Sequence, residues 1–277
     1  STTNRRLLRV LRMRDMSGKI VAITGANIGI GRAVAEQLAA RGAHLRLLCR
    51  SLDKAAPVVE ALQLQTEVVA IAAAALLARD EPLHVLVNNA GVGGQKGQTA
   101  DGFELHFGVN HLGHFLLTNL LLDRLKASAP ARIVHVASGS HYKARGIDWE
   151  AVQQTTASVS GFPEYTVSKL ANVLFNAELA RRLEGSGVTT YAVNPGRIAT
   201  NIWQRVPWPL RPLLKLTMWS SERGAYSATR AATDLEGTGA YFDKFAAKKP
   251  ASSPAQDLAL ARDLWARSEQ WVQHGQP

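Results

Sequence analysis

A glycine-rich turn between an apolar run and an amphipathic segment constrains the fold of this chain more than any other feature. Residues 19–24 are apolar and β-branched, which is typical of a buried strand. They lead into residues 24–31 (TGANIGIG), and residues 26–41 then carry apolar side chains at helical spacing. Glycines here let the backbone approach a pyrophosphate, which the free N–H groups at a helix start can bind. The turn predicts a strand–turn–helix unit suited to a dinucleotide.

Strand-like and helical patterns alternate along the rest of the chain. Strands are predicted at residues 43–49, 83–87, 132–137 and 188–193, and helices at 109–128, 163–183 and 258–272. Strands that alternate with helices of this length indicate βαβ units and a parallel sheet. The predicted fold class is therefore α/β, a doubly wound parallel sheet in three α/β/α layers, with a single domain over residues 17–277.

The segment between the second and fourth strands is short for a full strand and helix. Residues 66–71 (TEVVAI) favour a strand but run directly into the alanine-rich residues 72–78. With the strand order 3-2-1-4-5-6, the third strand lies at the edge. A helix of eight residues covers roughly 12 Å, whereas the return to strand four crosses three strand spacings of about 4.8 Å each. We expect a shortened or missing third strand and weaker binding of adenine.

The net charge of +10 is concentrated near the N-terminus, where residues 1–19 carry six basic side chains against Asp15. A basic amphipathic segment can bind an anionic membrane, but its apolar stripe is short, so we predict a solvated basic arm at residues 1–16. Nucleic-acid binding is disfavoured because stacking aromatic residues do not accompany these charges. The longest apolar run, residues 68–78, is too short to cross a bilayer.

Cysteine usage bears on the compartment and on the cofactor. The single cysteine, Cys49, excludes an internal disulfide and permits a reducing compartment, so we expect a cytoplasmic protein, with membrane association as the alternative. Cys49 ends the second predicted strand, where an acidic side chain would bind the ribose 2′-OH of NAD. The next residue, Arg50, can instead pair with a 2′-phosphate. This favours NADP(H) over NAD(H), and a plain surface arginine is the alternative.

Four polar positions point to one crevice. Tyr165 and Lys169 lie four residues apart on a predicted helix, so they share a face. A free phenol has a pKa near 10, and a nearby ammonium lowers it. Ser138 follows one predicted strand, Asn110 begins the helix after another, and residues 194–196 (NPG) end a third. Open α/β sheets bind ligands at this edge, which predicts a shared site.

The motifs TGANIGIG, NNAG, VNHLGHF, YTVSK and NPG, in this order and spacing, resemble the short-chain dehydrogenase/reductase family. The runs CRS, HFGVNHLGHFLLT and GVTTYAVNPG are similar to its retinol dehydrogenase branch, and the resemblance covers residues 17 to 245. It implies a Rossmann-type fold and an enzyme that transfers a hydride between NADP(H) and a hydrophobic carbonyl or its alcohol. The resemblance does not imply a metal ion in the reaction.

The resemblance also implies roles for individual residues. Tyr165 would exchange a proton with the substrate oxygen, Lys169 would lower the tyrosine pKa and hold the nicotinamide ribose, and Ser138 would orient the substrate oxygen. Asn110 would hold a water that relays protons to Lys169. The residues expected to bind the cofactor are Gly25, Asn27, Ile28, Gly29, Ile30, Gly31, Arg50, Asn89, Tyr165, Lys169, Pro195, Gly196 and Thr200.

The sequence departs from the family pattern at the serine, and its lid admits more than one interpretation. The run before Ser138 is His-Val-Ala rather than an Asn-Val-Ser type, so Ser140 remains a competitor for the role. Residues 197–225 resemble a substrate lid rich in Trp and Leu, which suggests a bulky substrate such as retinal. The alternatives are a packed lid or a patch that touches a membrane.

Three further expectations concern metal, assembly and activity. His106, His111 and His114 do not predict a metal site, since the i, i+3 pair has no close carboxylate or cysteine. A homodimer or homotetramer paired through helices at 110–128 and 163–183 is expected from the family. The second hypothesis for function is a catalytically silent Rossmann protein that binds a nucleotide or a partner, which the short third-strand region favours.

Overall fold

The computed structural model describes residues 14–49, 58, 66–69, 72–198 and 218–274. Within this part of the chain, eight strands form one sheet in the order β3-β2-β1-β4-β5-β6-β7-β8. All neighbours are parallel except β7 and β8, which are antiparallel. The strands are β1 (Ile20–Thr24), β2 (His44–Leu48), β3 (Thr66–Val69), β4 (Val85–Asn88), β5 (Ala131–Val136), β6 (Val188–Val193), β7 (Tyr241–Phe242) and β8 (Lys248–Lys249).

Helices cover both faces of this sheet. They are α1 (Gly29–Ala39), α2 (Ala72–Leu77), α3 (Leu105–Phe107, the π-helical turn Gly108–Leu112 and Gly113–Ala127), α4 (Phe162–Arg182), α5 (Ser221–Thr233) and α6 (Leu258–His274). Apolar residues of α1 and α5 form one core with the sheet, and those of α3, α4 and α6 form cores on the other face. The strand order and the layers confirm the predicted α/β, doubly wound parallel fold.

The third strand is present but short, as expected. β3 has four residues and pairs with β2 from Leu45↔Thr66 to Leu48↔Val69. The following helix α2 has six residues, and residues 78–84 complete the return to β4. Arg46 of β2 binds both carboxylate oxygens of Glu81 in this return segment, at 2.7 Å each. This contact, the Arg46–Glu81 clamp, therefore holds the short connection from β3 to β4 in place, where a longer helix would otherwise make the connection.

Helix α3 begins earlier than its periodicity predicts, and Asn110 is not at its start. The carboxylate of Glu104 accepts hydrogen bonds from the backbone N–H of His106 (2.8 Å) and Phe107 (2.9 Å), which starts the helix at Leu105. Asn110 lies five residues further on, inside the π-helical turn. Such turns are single local distortions of a helix and are frequent at functional sites.

Helix α6 covers part of α3 and α4. Trp265 packs on Phe115 of α3 and Phe175 of α4, with ring centres 5.0 and 5.6 Å apart. Ser268 lies 2.9 Å from His111 Nε2 of α3. A second subunit that pairs through α3 and α4 would have to use the surface that α6 leaves uncovered, and the predicted homo-oligomer stays a prediction.

The two predicted flanking segments are described only in part. Residues 14–16 of the predicted arm are attached to the domain, because Met16 is buried in the core and Arg14 N donates to Asp234 (2.8 Å); residues 1–13 lie outside the described residues. Residues 199–217 of the predicted lid lie outside them too, while Ile198 and Trp219 form a parallel bridge and residues 221–225 belong to α5. None of the helices among the described residues is long and apolar enough to cross a bilayer.

Candidate active site

The glycine turn packs tightly against the loop that follows β4. Gly25 has φ +65°, and a Cβ there would lie 2.9 Å from Ala90 Cα. A Cβ on Gly31 would lie 2.3 Å from Asn89 Nδ2 and 2.5 Å from Gly25 O. Gly29 begins α1 with φ +61°, and the extended Ile28 before it is 57% exposed. The turn therefore presents the start of α1 openly at the carboxyl end of β1, which suits an anion.

Thr24, which the sequence interpretation did not single out, fixes this turn. Its Oγ1 accepts hydrogen bonds from the backbone N–H of Asn89 (2.9 Å) and Ala90 (2.8 Å). Asn89 Nδ2 donates to the carbonyls of Thr24 (2.8 Å) and Gly25 (3.3 Å). Asn89, predicted to contact the cofactor, thus also braces the glycine turn from the neighbouring strand. A hydroxyl at the last residue of β1 was the signal available in the sequence.

Asn110 joins the loop after β4 to α4. Its side chain is buried, Oδ1 accepts from Val92 N (2.8 Å), and Nδ2 donates to Val92 O (3.0 Å) and to Ser168 Oγ (3.0 Å). Ser168 Oγ donates in turn to Tyr165 O (2.8 Å). Both amide protons of Asn110 are used, so a water held by this residue would have to be bound through Oδ1 or the main chain. Ser168 is a second residue that sequence reasoning missed.

Lys169 is buried beside Tyr165, as the four-residue spacing predicts. Its Nζ donates to Val136 O (2.9 Å) at the end of β5 and lies 5.7 Å from the centre of the Tyr165 ring. Burial lowers the pKa of Lys169 to about 8. A Cβ on Gly91 would lie 3.8 Å from Nζ and 3.0 Å from Asn110 Oδ1, so the small residue is needed where these groups converge.

Tyr165 meets Ser138 across the crevice. Burial raises the pKa of the Tyr165 phenol, and a hydrogen bond with the Ser138 side chain acts in the opposite direction. The lowering expected from Lys169 does not dominate here, because burial has the largest effect and the ammonium is held against the carbonyl of Val136. The phenol of the free protein is therefore neutral around pH 7.

The geometry favours Ser138 over Ser140. Ser138 follows β5 directly, and its Oγ accepts from Ser140 N (3.1 Å) in addition to its hydrogen bond with Tyr165. The hydroxyl of Ser140 is buried, and no hydrogen-bond partner for it is found among the described residues. Ser140 thus supports Ser138 through its backbone.

The turn after β6 closes the other side of the crevice. Asn194 Oδ1 accepts from Gly196 N (2.9 Å), Gly196 has φ +88°, and Pro195 is buried. A Cβ on Gly139 would lie 3.1 Å from Asn194 Nδ2, so this turn and the Ser138 loop are in contact. Among the predicted cofactor residues, Arg50 and Thr200 lie outside the described residues.

The three histidines of α3 have separate partners. His106 Nδ1 lies 2.8 Å from the Glu104 carboxylate, His111 Nε2 lies 2.9 Å from Ser268 Oγ, and His114 Nε2 lies 3.4 Å from Thr24 Oγ1. In the part of the chain that the structure describes, no group of three or more His, Cys, Asp or Glu residues is arranged to hold a metal ion. The sequence did not predict the contact between His106 and the carboxylate of Glu104.

Comparisons with known proteins agree on one family. Residues 19–208 match the family model described as short chain dehydrogenase. Retinol dehydrogenase 11 of Homo sapiens is 39% identical in an alignment that covers 91% of this chain and 85% of the relative. Retinol dehydrogenase 13 of Homo sapiens is 40% identical in an alignment that covers 92% of this chain and 85% of the relative. A solved structure of an uncharacterized protein from Mycobacterium Paratuberculosis has a TM-score of 0.79 and 33% identity, and the match covers 95% of this chain and 97% of that one.

Proposed function

Because this chain belongs to the short-chain dehydrogenase family, and is thus an oxidoreductase acting on CH–OH groups with a nicotinamide cofactor, we propose that it interconverts a hydrophobic aldehyde or ketone and its alcohol with NADP(H). The observation that carries this proposal is the contact between Ser138 and Tyr165 beside the buried ammonium of Lys169. These groups lie at the carboxyl ends of the strands, on the same edge as the glycine turn.

The residues present fit a dinucleotide. The lack of room for a Cβ at Gly25 and Gly31 and the open start of α1 suit a pyrophosphate, and Lys169 uses one of its three N–H donors on Val136 O and has two for a ribose. When bound, the nicotinamide gives or takes the hydride. The residues we assign to cofactor binding are Gly25, Asn27, Ile28, Gly29, Ile30, Gly31, Arg50, Asn89, Tyr165, Lys169, Pro195, Gly196 and Thr200.

The chain's own residues move the proton. In carbonyl reduction, Tyr165 donates its phenolic proton to the substrate oxygen, and Ser138 donates a hydrogen bond to the same oxygen as negative charge develops on it. In alcohol oxidation, Tyr165 accepts the proton back. Since burial raises the pKa of Tyr165, the phenol carries the proton that carbonyl reduction requires. Asn110 acts by fixing Ser168 and, through it, the first turns of α4.

A hydrophobic substrate is supported by two observations. The relatives named above are retinol dehydrogenases. Phe162 stacks on Tyr165 with ring centres 6.2 Å apart and is 37% exposed, so an apolar surface borders the phenol. We assign a retinal-like aldehyde as the substrate class, and peripheral contact of residues 1–16 and of the lid with a membrane would give access to it. A homodimer or homotetramer remains part of the proposal.

The test compares nucleotide binding and turnover in the same preparation. NADPH and NADH are titrated by fluorescence, and reduction of retinal and a panel of aldehydes is then followed. Tyr165→Phe is expected to lower kcat by about 10³-fold, the usual contribution of a general acid, and to weaken nucleotide binding far less. Retained turnover in this variant would contradict the catalytic assignment. The four-residue β3 favours the second candidate, a catalytically silent Rossmann protein that binds a nucleotide or a partner. Absence of turnover, with neither NADPH nor NADH bound below about millimolar, would support that candidate.

The cofactor preference has its own test. Arg50→Ala removes the cation assigned to the 2′-phosphate, and a charge-assisted bond of this kind corresponds to about 10-fold or more in affinity. We expect weaker NADPH binding and unchanged NADH binding. Arg267→Ala, which removes an exposed arginine paired with Asp263 on α6, is the matched control and leaves both affinities unchanged. An unchanged ratio in Arg50→Ala would remove the argument for NADP(H).

A further inference from the structure

His141 connects the Ser138 loop to the segment that leads into α6. It lies on the 3-10 turn Gly139–Lys143 and is fully buried. Its Nδ1 lies 2.8 Å from Ser138 O, and its Nε2 lies 3.2 Å from the backbone N of Ser252. A carbonyl can only accept a hydrogen bond and a backbone N–H can only donate one, so Nδ1 carries the proton and Nε2 is unprotonated. The contacts therefore define a neutral imidazole with one tautomer.

The ring of His141 packs against two tyrosines, which also contact each other. Tyr142 lies 4.1 Å and Tyr241 of β7 lies 4.6 Å from it, measured between ring centres. The hydroxyl of Tyr142 donates to Pro250 O, two residues before Ser252. The hydroxyl of Tyr241 is hydrogen-bonded to the side chain of Asn194, whose Oδ1 holds Gly196 N. The imidazole thus lies at a junction between the Ser138 loop, the 194–196 turn and the 250–252 segment.

We propose that His141 is a positioning residue for the reaction, which sets the place of the Ser138 hydroxyl relative to Tyr165 and the 194–196 turn and does so only as the neutral imidazole. The inference rests on the proposed function. Ser138 has extended backbone angles, and its carbonyl and its hydroxyl belong to one residue, so fixing the carbonyl restricts where the hydroxyl can point. Misplacement of a reacting group by about 1 Å can cost up to 100-fold in rate.

Protonation would break this junction. A proton on Nε2 would face the N–H of Ser252, which would place two donors against each other. Burial lowers the pKa of His141, and the bond to Ser138 O opposes that effect. The titratable groups packed against the ring are Tyr142 on its own turn and Tyr241 on β7, with Asp243 close enough to raise the pKa of both phenols. We therefore expect kcat to fall as the pH drops below the ordinary histidine value of about 6.5.

The experiment measures kcat for reduction of retinal with NADPH in detergent, across pH 5 to 8, in the full chain. His141→Phe keeps an aromatic ring against the two tyrosines and removes both hydrogen bonds, and we expect a loss of about 10- to 100-fold in kcat with NADPH affinity unchanged. His141→Gln retains one donor and one acceptor without a titrating group. It should keep most of the activity and lose the acid limb of the profile.

A matched control is available at the opposite edge of the sheet. His84 Nδ1 accepts a hydrogen bond from Ile20 N (3.1 Å), so His84→Phe removes a similar contact far from the crevice. It should leave kcat and its pH profile unchanged.

The outcomes separate this inference from the proposed function. A folded His141→Phe variant with the parent kcat and pH profile overturns the positioning role. If His141→Phe does not fold, His141→Gln decides, and an acid limb identical to that of the parent overturns the role. Full turnover in Tyr165→Phe contradicts the proposed function itself, whereas an inactive Tyr165→Phe beside an unaffected His141→Phe contradicts only the inference about His141.

Discussion

The two ends of the proposed dinucleotide crevice are built differently. At the catalytic end, β5 and β6 pair over six residues, from Ala131↔Val188 to Val136↔Val193. At the other end, β2 and β3 pair over four residues. Side chains that cross between elements hold the catalytic end, among them Asn110 on Ser168 and Lys169 on Val136 O. At the β2–β3 end, one such contact among the described residues is the clamp of Arg46 on Glu81.

This difference implies that a change at one end of the crevice can alter nucleotide affinity without altering kcat. Among the described residues, the hydrogen bonds that place Ser138, Tyr165 and Lys169 do not involve β3 or α2. We therefore expect the shortened β3 to weaken the support for the adenosine half of a cofactor and to leave the reacting groups in place. We expect a high KM for the nucleotide together with an ordinary kcat at saturation.

The largest expected effect is at the catalytic end. Ser138→Ala removes the hydroxyl next to Tyr165 and should lower kcat by about 10²- to 10³-fold, as for other donors that stabilise a developing oxyanion. Ser140→Ala is the matched control, since Ser140 supports Ser138 through its backbone N–H, and it should change kcat less than about 2-fold. Steady-state kinetics at saturating nucleotide measure both. A larger loss of kcat in Ser140→Ala than in Ser138→Ala would mean that Ser140, not Ser138, orients the substrate oxygen.

The next effect is at the glycine turn, between the two ends. A Cβ on Gly31 would lie 2.3 Å from Asn89 Nδ2, so Gly31→Ala must displace the turn or its brace. Overpacking of about 1–3 kcal/mol corresponds to about 5- to 150-fold in nucleotide affinity, and kcat at saturation should change much less. Gly146→Ala is the control, because nothing lies within 4 Å of its Cβ. Equal losses of kcat and affinity would mean that the two ends are not separable.

Local sequence patterns predicted the strands well because each strand carries its own pattern. Residues 188–193 were predicted as a strand and are β6, and residues 132–137 differ from β5 by one residue at each end. The spacing of Tyr165 and Lys169 likewise predicted their shared face, since it depends only on the helical repeat.

Features that depend on contacts between distant residues were missed or predicted incorrectly. Thr24 braces Asn89 across 65 residues. The start of α3 was missed for a local reason, because its cap is Glu104, and glutamate is not among the preferred N-cap residues. The direction of the Tyr165 pKa was also not predictable, because it is set by burial, and burial is a property of the packed structure. Periodicity carries no information about any of these.

The smallest effect concerns the β2–β3 end and separates its stability from catalysis. Glu81 accepts two hydrogen bonds from Arg46, and their side chains are 23% and 9% exposed. Glu81→Gln should lower the free energy of unfolding at pH 7 by about 1–2 kcal/mol, since the buried guanidinium loses its charged partner. Glu36→Gln, which breaks the exposed pair with Arg32 (39% and 42% exposed), should cost less than about 0.5 kcal/mol.

The pH dependence of this difference follows from the pKa of Glu81, which the hydrogen bonds from Arg46 lower. A carboxyl with a lowered pKa in the folded state stabilises the protein above its unfolded value of about 4.3, and this stabilisation is lost as the pH falls through the folded value. The difference in free energy of unfolding between the parent and Glu81→Gln, measured by urea unfolding, should thus be largest at pH 7 and should disappear in acid. Because Glu81 contacts none of the reacting groups, kcat should be unchanged at pH 7, and a fall in kcat would show that the clamp at this end also positions the catalytic end.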